Sequence, residues 1–433
     1  MSAVETLPER LHLNMFRRAS IQVLQDLYKA LFRRVAERES NLFIFAEGGF
    51  HPGRVLDELD EQIRRWPDPV RRPPLFGVPV GVKDIFRTAG YAIHCGSLLP
   101  SSLFRGEEAS LVSALKQAGA VVLGITASTE FAFAEPSATR NPQNTAHTPG
   151  GSSSGSAAGI AAGYFPLALG TQTMGSVVRP AAFCGVVGMK PSHGLLPGDG
   201  LIFFAPSVDQ AGFFCASAAD AALVLNTFVP AGNSLDSKSN WTLAVPQGPY
   251  LKEVDPEALA VFDAFCRRLV RRDGIVLKKL PLFDNWPDIA RRHESLVAAE
   301  LAEIHKDWLP DFNSLYRPRT RDFILKGRQE GKGAVTQGNA SRLRLRATLG
   351  ELMQSEAIDA FIVPSAVGEA PGSRDYTGNP IMNVPWTHAG LPVLCLPIGT
   401  GPRGLPLGVQ VVGRYGEDHA LPTLGRLLET LCA

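Results

Sequence analysis

Gly150-Gly151-Ser152-Ser153-Ser154-Gly155-Ser156-Ala157-Ala158-Gly159-Ile160-Ala161-Ala162-Gly163, followed by Gly170-Thr171-Gln172-Thr173-Met174-Gly175-Ser176, is the stretch on which the fold turns. A Gly/Ser loop opens a helix built of small residues, and small side chains let a helix lie close against a sheet. The second loop presents a serine directly after a glycine, 24 residues beyond Ser152. About seventy residues upstream, the apolar run Leu75-Phe76-Gly77-Val78-Pro79-Val80-Gly81-Val82 ends at Lys83-Asp84 and reads as a buried strand. A lysine on a buried strand, a serine in a Gly/Ser loop and a second Gly-flanked serine make up a complete nucleophile assembly.

A serine hydroxyl is a poor nucleophile until a base removes its proton. Lysine serves if it is neutral, which requires desolvation to lower its pKa from about 10.4 towards 7–8, a shift worth about 4 kcal/mol. Val78, Val80 and Val82 supply apolar surroundings for such a shift, and in a strand Asp84 points to the face opposite Lys83. The same segment also reads as a lysine emerging into solvent at the end of its strand. Successive N–H groups in the turn ending at Ser176 can converge on an oxyanion; an ordinary Gly/Ser/Thr loop is the alternative. Gly151 to Gly155 formally matches the GxSxG elbow, but that elbow needs a strand directly before it, and here the polar loop Asn141–Pro149 precedes. The absence of a following Gly-Lys-Ser/Thr rejects a P-loop. His193 reads as a turn histidine, not as a partner for Ser176.

The bulk numbers narrow the classes further. With 433 residues, 45% hydrophobic, 20% charged and a net charge of +1, the chain is of globular type and offers no basic surface that calls for nucleic acid or an anionic membrane. No apolar run approaches the roughly 18 residues of a membrane span. Glu5 and Glu9, without an apolar segment, speak against a secretory signal, and residues 10–18 have only a faint transit-peptide look. The six cysteines form no CxxC pair and the nine histidines no HExxH spacing, so the expectation is a reduced, cytoplasmic protein with no metal and no cofactor.

Periodicity predicts an amphipathic helix over 21–36 and further helices at 107–118, 153–163, 218–228, 255–272, 288–307, 339–355 and 418–431. Strands are expected at 75–83, 120–125, 165–170, 182–189, 242–246, 359–364, 393–398 and 406–412. Strands alternating with helices argue for an α/β fold around an internal sheet. One domain spanning 1–433 is expected: an N-terminal helical segment (1–70), a catalytic core (71–230) and a C-terminal part of the sheet (355–433). Residues 285–340, dotted with Trp286, Trp308, Phe312, Tyr316 and Phe323, read either as an insertion covering the site or as a helical surface layer.

Taken together, these segments resemble the amidase signature family. The resemblance rests on the two serine loops and the lysine strand. It continues through Pro180-Ala-Ala-Phe-Cys-Gly-Val-Val-Gly-Met-Lys190-Pro-Ser, and further through Gly378-Asn-Pro380, Asn383-Val-Pro385, Gly390-Leu-Pro392 and Gly404-Leu-Pro-Leu-Gly408-Val-Gln410. It implies a three-layer α/β/α fold with one large mixed central β-sheet flanked by helices. It also implies catalysis by Ser176 as nucleophile, Ser152 (in a cis peptide) as proton relay and Lys83 as base, with N–H groups of Thr173, Met174, Gly175 and Ser176 as oxyanion hole. The expected activity is hydrolysis of a carboxylic amide, small, polar or carboxylate-bearing, with a homodimer as the family-level expectation. The alternatives are the glutaminase-type subunit of a tRNA-dependent amidotransferase, or a non-catalytic binding subunit that keeps the fold.

The departures from the family pattern locate specificity. Gln172 replaces a common Asp, Met174 the first of two glycines, and Ser128 an apolar methionine near the substrate. Val178 stands where the family has an arginine, and Arg179 follows it, as in a branch where that arginine can point into the pocket. Ser128, Gln172 and Arg179 are therefore the candidate substrate-binding residues, Arg179 either receiving a substrate carboxylate or tying loops together.

Overall fold

In the central strands nearly every position is apolar or small and nearly every one is buried, the pattern of a sheet covered on both faces. The computed structural model describes residues 7–230, 238–373 and 375–432; residues 1–6, on which the leader expectation partly rested, lie outside these. Its strands are β1 (Pro79–Lys83), β2 (Val121–Thr126), β3 (Leu167–Gln172), β4 (Val187–Lys190), β5 (Gln210–Cys215), β6 (Trp241–Gln247), β7 (Ile275–Pro281), β8 (Ala360–Pro364), β9 (Val393–Thr400) and β10 (Pro406–Gly413). They form one mixed sheet in the order β2-β1-β3-β5-β4-β9-β10-β8-β6-β7. Parallel pairs occupy the two ends of the sheet, and antiparallel pairs fill the centre from β3 to β8.

The helices are α1 (Leu13–Arg17), α2 (Ile21–Leu42), α3 (Pro52–Arg65), α4 (Ser110–Gln117), α5 (Ser154–Ala161), α6 (Val178–Cys184), α7 (Ala218–Phe228), α8 (Pro256–Leu269), α9 (Trp286–Ile304), α10 (Trp308–Phe312), α11 (Pro318–Ser355), α12 (Val384–Ala389) and α13 (Ala420–Glu429). They flank the sheet in the three-layer α/β/α arrangement. Helices α5 and α6 touch each other and the strands β1 to β5, β9 and β10, while α7 and α13 pack together over β4, β5, β9 and β10. Among the described residues, no helix is long and apolar enough to cross a membrane.

One expected strand is corrected. Of 182–189, the first part belongs to helix α6 and only Val187–Lys190 is strand. Pro180 sits in the first helical turn, where its missing N–H has no intrahelical partner to lose, and Gly185 closes the helix in the left-handed conformation at φ 67°. Helix α11 begins at Pro318, well before the expected 339, and is interrupted at Gly331, whose φ of 69° and ψ of 172° are not helical. Strands β5 and β7 and helices α3 and α12 lie outside the elements that periodicity predicts. The first strand of the sheet is shorter than the apolar run 75–83, because Gly77 turns the chain at φ 66° before Pro79.

Candidate active site

The carboxyl ends of the parallel neighbours β1 and β3 lie together, and each delivers a chain segment with a functional group. Lys83 is the last residue of β1 and is wholly buried. Its Nζ lies 2.7 Å from Ser152 Oγ and 2.9 Å from Thr171 Oγ1. Burial pushes this amine down from its ordinary 10.5 to about 7, against an opposing pull from the carboxylate of Asp209. Asp84 accepts from the N–H groups of His94 and Gly96, so its carboxylate is engaged by the next loop and not by Lys83.

Ser152 follows a cis peptide bond after Gly151. Two other serines of the run stitch this loop to β3, Ser153 Oγ donating to Thr171 O and accepting from Thr171 N–H and Ser156 Oγ donating to Leu169 O, while Ser154 Oγ closes the loop on Gly150 O. Helix α5 can approach so closely because Gly155 has no side chain; a Cβ there would come within 2.2 Å of Ile44 O.

Ser176 terminates the loop after β3 and faces a cavity of about 560 Å³. Gly175 before it is held against Asn383, whose Oδ1 would meet an added Cβ at 2.2 Å. The N–H groups of Met174, Gly175 and Ser176 donate to no protein acceptor among the described residues, leaving consecutive donors free beside the nucleophile candidate. The structure thus brings Lys83 and Ser152 into hydrogen-bond contact and sets Ser176 on the cavity.

The departures sort differently. Arg179 lines the cavity. Its Nη2 donates to Gly151 O at 2.7 Å and lies 3.4 Å from Thr377 Oγ1, while Nε and Nη1 are buried without acceptors. Desolvation pushes its guanidinium down to about 10, so it stays charged at neutral pH. Gln172 does not reach the cavity: its Oε1 accepts from Val177 N–H and Val178 N–H, both at 2.9 Å, and its Nε2 donates to Thr387 Oγ1. Ser128 is also withdrawn, its hydroxyl spent on Thr129 O. Met174 lines the cavity beside Ser176.

Other residues of the site had no visible signal in the sequence. Asp209 is one. The β3–β5 register pairs Gln172 with Gln210, so the next pair outward is Thr173 with Asp209. The Thr173 hydroxyl donates to Asp209, which also accepts from the N–H groups of Phe204 and Ala205. Burial raises this carboxyl to about 6. Knowledge of which strand neighbours β3 would have found it. The aromatic wall is another: Phe133, Phe204 and Phe323 stack at centroid separations of 4.4–6.2 Å along one side of the cavity. Trp286 and His293 of α9 line it as well, so part of the segment 285–340 borders the cavity.

Known proteins resemble this chain along nearly its whole length. The family model described as Amidase matches residues 54–421. The chain belongs to the amidase signature family. A glutamyl-tRNA(Gln) amidotransferase subunit of Desulforapulum autotrophicum is 30% identical to it, covering 94% of this chain and 94% of that protein. A crystal structure of an amidase superposes with a TM-score of 0.85 at 27% identity, covering 98% of this chain and all of that one. The peptide amidase of Stenotrophomonas maltophilia superposes with a TM-score of 0.77 at 27% identity, over 94% and 93% of the two chains. Membership of the amidase signature family makes this chain one of a family of amide-cleaving enzymes.

Proposed function

We propose that the chain is an amidohydrolase that cleaves the C–N bond of a carboxylic amide through an acyl-Ser176 intermediate. The observation that carries this reading is the buried Lys83 Nζ, 2.7 Å from Ser152 Oγ, in surroundings that bring its pKa to about 7. A neutral Lys83 takes the hydroxyl proton of Ser152 as Ser152 takes that of Ser176, and the Ser176 oxygen attacks the amide carbon. Negative charge develops on the carbonyl oxygen, where the free N–H groups of residues 174–176 receive it. The relay then runs backwards: the proton goes to the leaving nitrogen, the C–N bond breaks, and water attacks the resulting ester by the same route.

Arg179 supports a substrate with a carboxylate or another anionic oxygen. A buried guanidinium with two unsatisfied nitrogens is costly, and a bound anion on the cavity side relieves that cost. The bond to Gly151 O shows that the same side chain also ties the two serine loops together, so the recognition and scaffold roles are compatible. The wall of Phe133, Phe204 and Phe323 supports an apolar or aromatic body on that substrate. A cavity of about 560 Å³ holds more than the small acyl group expected from sequence.

A second reading, a glutaminase-type subunit that works with partner subunits, is supported by the amidotransferase relatives. Ammonia release by the isolated chain from a panel of neutral and carboxylate-bearing primary amides, compared with Ser176→Ala, separates the readings. Release by the wild type that vanishes in the variant supports the free-standing amidohydrolase. Release only after partner subunits are added supports the second reading, and release unaffected by Ser176→Ala contradicts both.

A further inference from the structure

Two buried histidines stand beside the Thr173–Ser176 loop; His293 also borders the cavity, and neither is hydrogen-bonded to Lys83, Ser152 or Ser176. His293 of α9 places Nε2 3.0 Å from Thr173 O and Nδ1 3.2 Å from Nδ1 of His388 in α12. His388 Nε2 lies 3.1 Å from Ser341 Oγ in α11. With both rings neutral, only one arrangement of protons satisfies this chain. The Thr173 carbonyl can only accept, so His293 carries its proton on Nε2, and its Nδ1 then accepts. His388 must donate from Nδ1, leaving Nε2 to accept from the Ser341 hydroxyl. Both rings are deeply buried, and desolvation pushes His293 down to about 4 and His388 to about 2, with Arg342 and, for His388, Arg292 adding to the effect.

The geometry of the peptide bond gives this chain its consequence. In a trans peptide the C=O of one residue and the N–H of the next point in opposite directions. Pinning Thr173 O to His293 therefore turns Met174 N–H away from α9. Thr387 does the same for the next peptide: its hydroxyl lies 2.7 Å from Met174 O, which sets Gly175 N–H the opposite way. Thr387 and His388 are adjacent in α12, whose last carbonyls accept from Arg342 and Arg346 of α11. One short helix thus anchors both loop carbonyls, one directly and one through His293.

We propose that His293, oriented by His388 and Ser341, is a positioning residue that aims the Met174 N–H at the developing oxyanion; the inference rests on the amidohydrolase reading above. An interaction that acts on the transition state changes kcat and leaves ground-state binding intact.

The test uses the full chain and compares wild type, His293→Leu, His293→Gln and Ser341→Ala for kcat and KM on a primary amide, and for inhibition by phenylboronic acid, whose serine adduct carries a tetrahedral oxyanion. Loss of one oxyanion donor costs on the order of 100-fold in kcat. His293→Leu is expected to lose about that factor in kcat and in phenylboronic acid affinity, with KM within about twofold. His293→Gln keeps an amide N–H for Thr173 O and is expected to recover at least about tenfold of the loss, which a purely packing role would not do. Should His293→Leu fail to fold, Ser341→Ala, at the far end of the chain, is expected to lower kcat several-fold with KM unchanged. Wild-type turnover with unchanged kcat in His293→Leu, or in Ser341→Ala should that variant stand in, overturns this inference alone, as does glutamine performing no better than leucine. A wild type that hydrolyses no amide and takes no label from a fluorophosphonate overturns the inference together with the reading beneath it.

Discussion

In the proposed reaction Lys83 is the base, a role that follows from where β1 ends. Its burial disfavours the ammonium form, and only the neutral amine can accept the Ser152 proton. The sign of the pH dependence follows: below about 7 the lysine is protonated and the relay is blocked, and above it the base is free. A plot of kcat/KM against pH is expected to rise through about 7 and level off, whereas a profile flat from pH 5 to 9 would remove Lys83 from the role of base. Arg179 gives the second expectation at this scale. Arg179→Ala should raise KM for carboxylate-bearing amides on the order of 100-fold while changing neutral amides by less than about threefold. Equal losses on both would leave the bond to Gly151 O as its whole contribution. The two serines and Lys83 were legible because their neighbours have strong local character: glycines around the loops, valines around the lysine. Gln172 and Ser128 were legible only as departures, and the direction of a side chain at a strand end is set by tertiary contacts. Gln172 turns back to the N–H groups of α6, and Ser128 to Thr129 O.

Helix α6 shows what sequence patterning hides at the next scale. The run from Val177 to Val187 is almost wholly apolar, and apolar continuity alone does not distinguish a buried helix from a buried strand. Pro180 and Gly185 are the start and stop signals that decide it. The helix has no side chain of its own at the N-cap position to satisfy its first donors, and Gln172 supplies that function from the end of β3. Because the same glutamine also bonds Thr387, one residue couples β3, α6 and α12 around the loop that carries Ser176. Gln172→Leu would strand two buried N–H groups, and a loss of about 2–4 kcal/mol in unfolding free energy is expected by urea titration, together with a fall in kcat. A change below about 0.5 kcal/mol would mean that the loop is held by other contacts.

At the scale of the whole molecule, helix α7 and the C-terminal strands follow their periodicities closely: 218–228 coincides with α7, and 359–364, 393–398 and 406–412 fall on β8, β9 and β10. The order of the strands does not follow from pattern. β4 lies between β5 and β9, apart from its sequence predecessor β3, and local patterning gives no such pairing. The cavity shares that origin. Phe133, Phe204 and Phe323 come from three distant segments, and only the folded chain makes them one wall beside Ser176. The lysine and serine motifs that sequence displays locally thus meet a cavity that only the tertiary structure assembles. The central claim is that amide turnover passes through an ester on Ser176. Intact-mass and peptide-mass analysis of the isolated chain, acid-quenched during turnover of an arylalkyl amide bearing a carboxylate, tests it most directly. An adduct with the mass of the acyl group on the peptide containing Ser176, absent from Ser176→Ala, is the predicted result; amide consumption with no adduct on Ser176, and unchanged in Ser176→Ala, would contradict it.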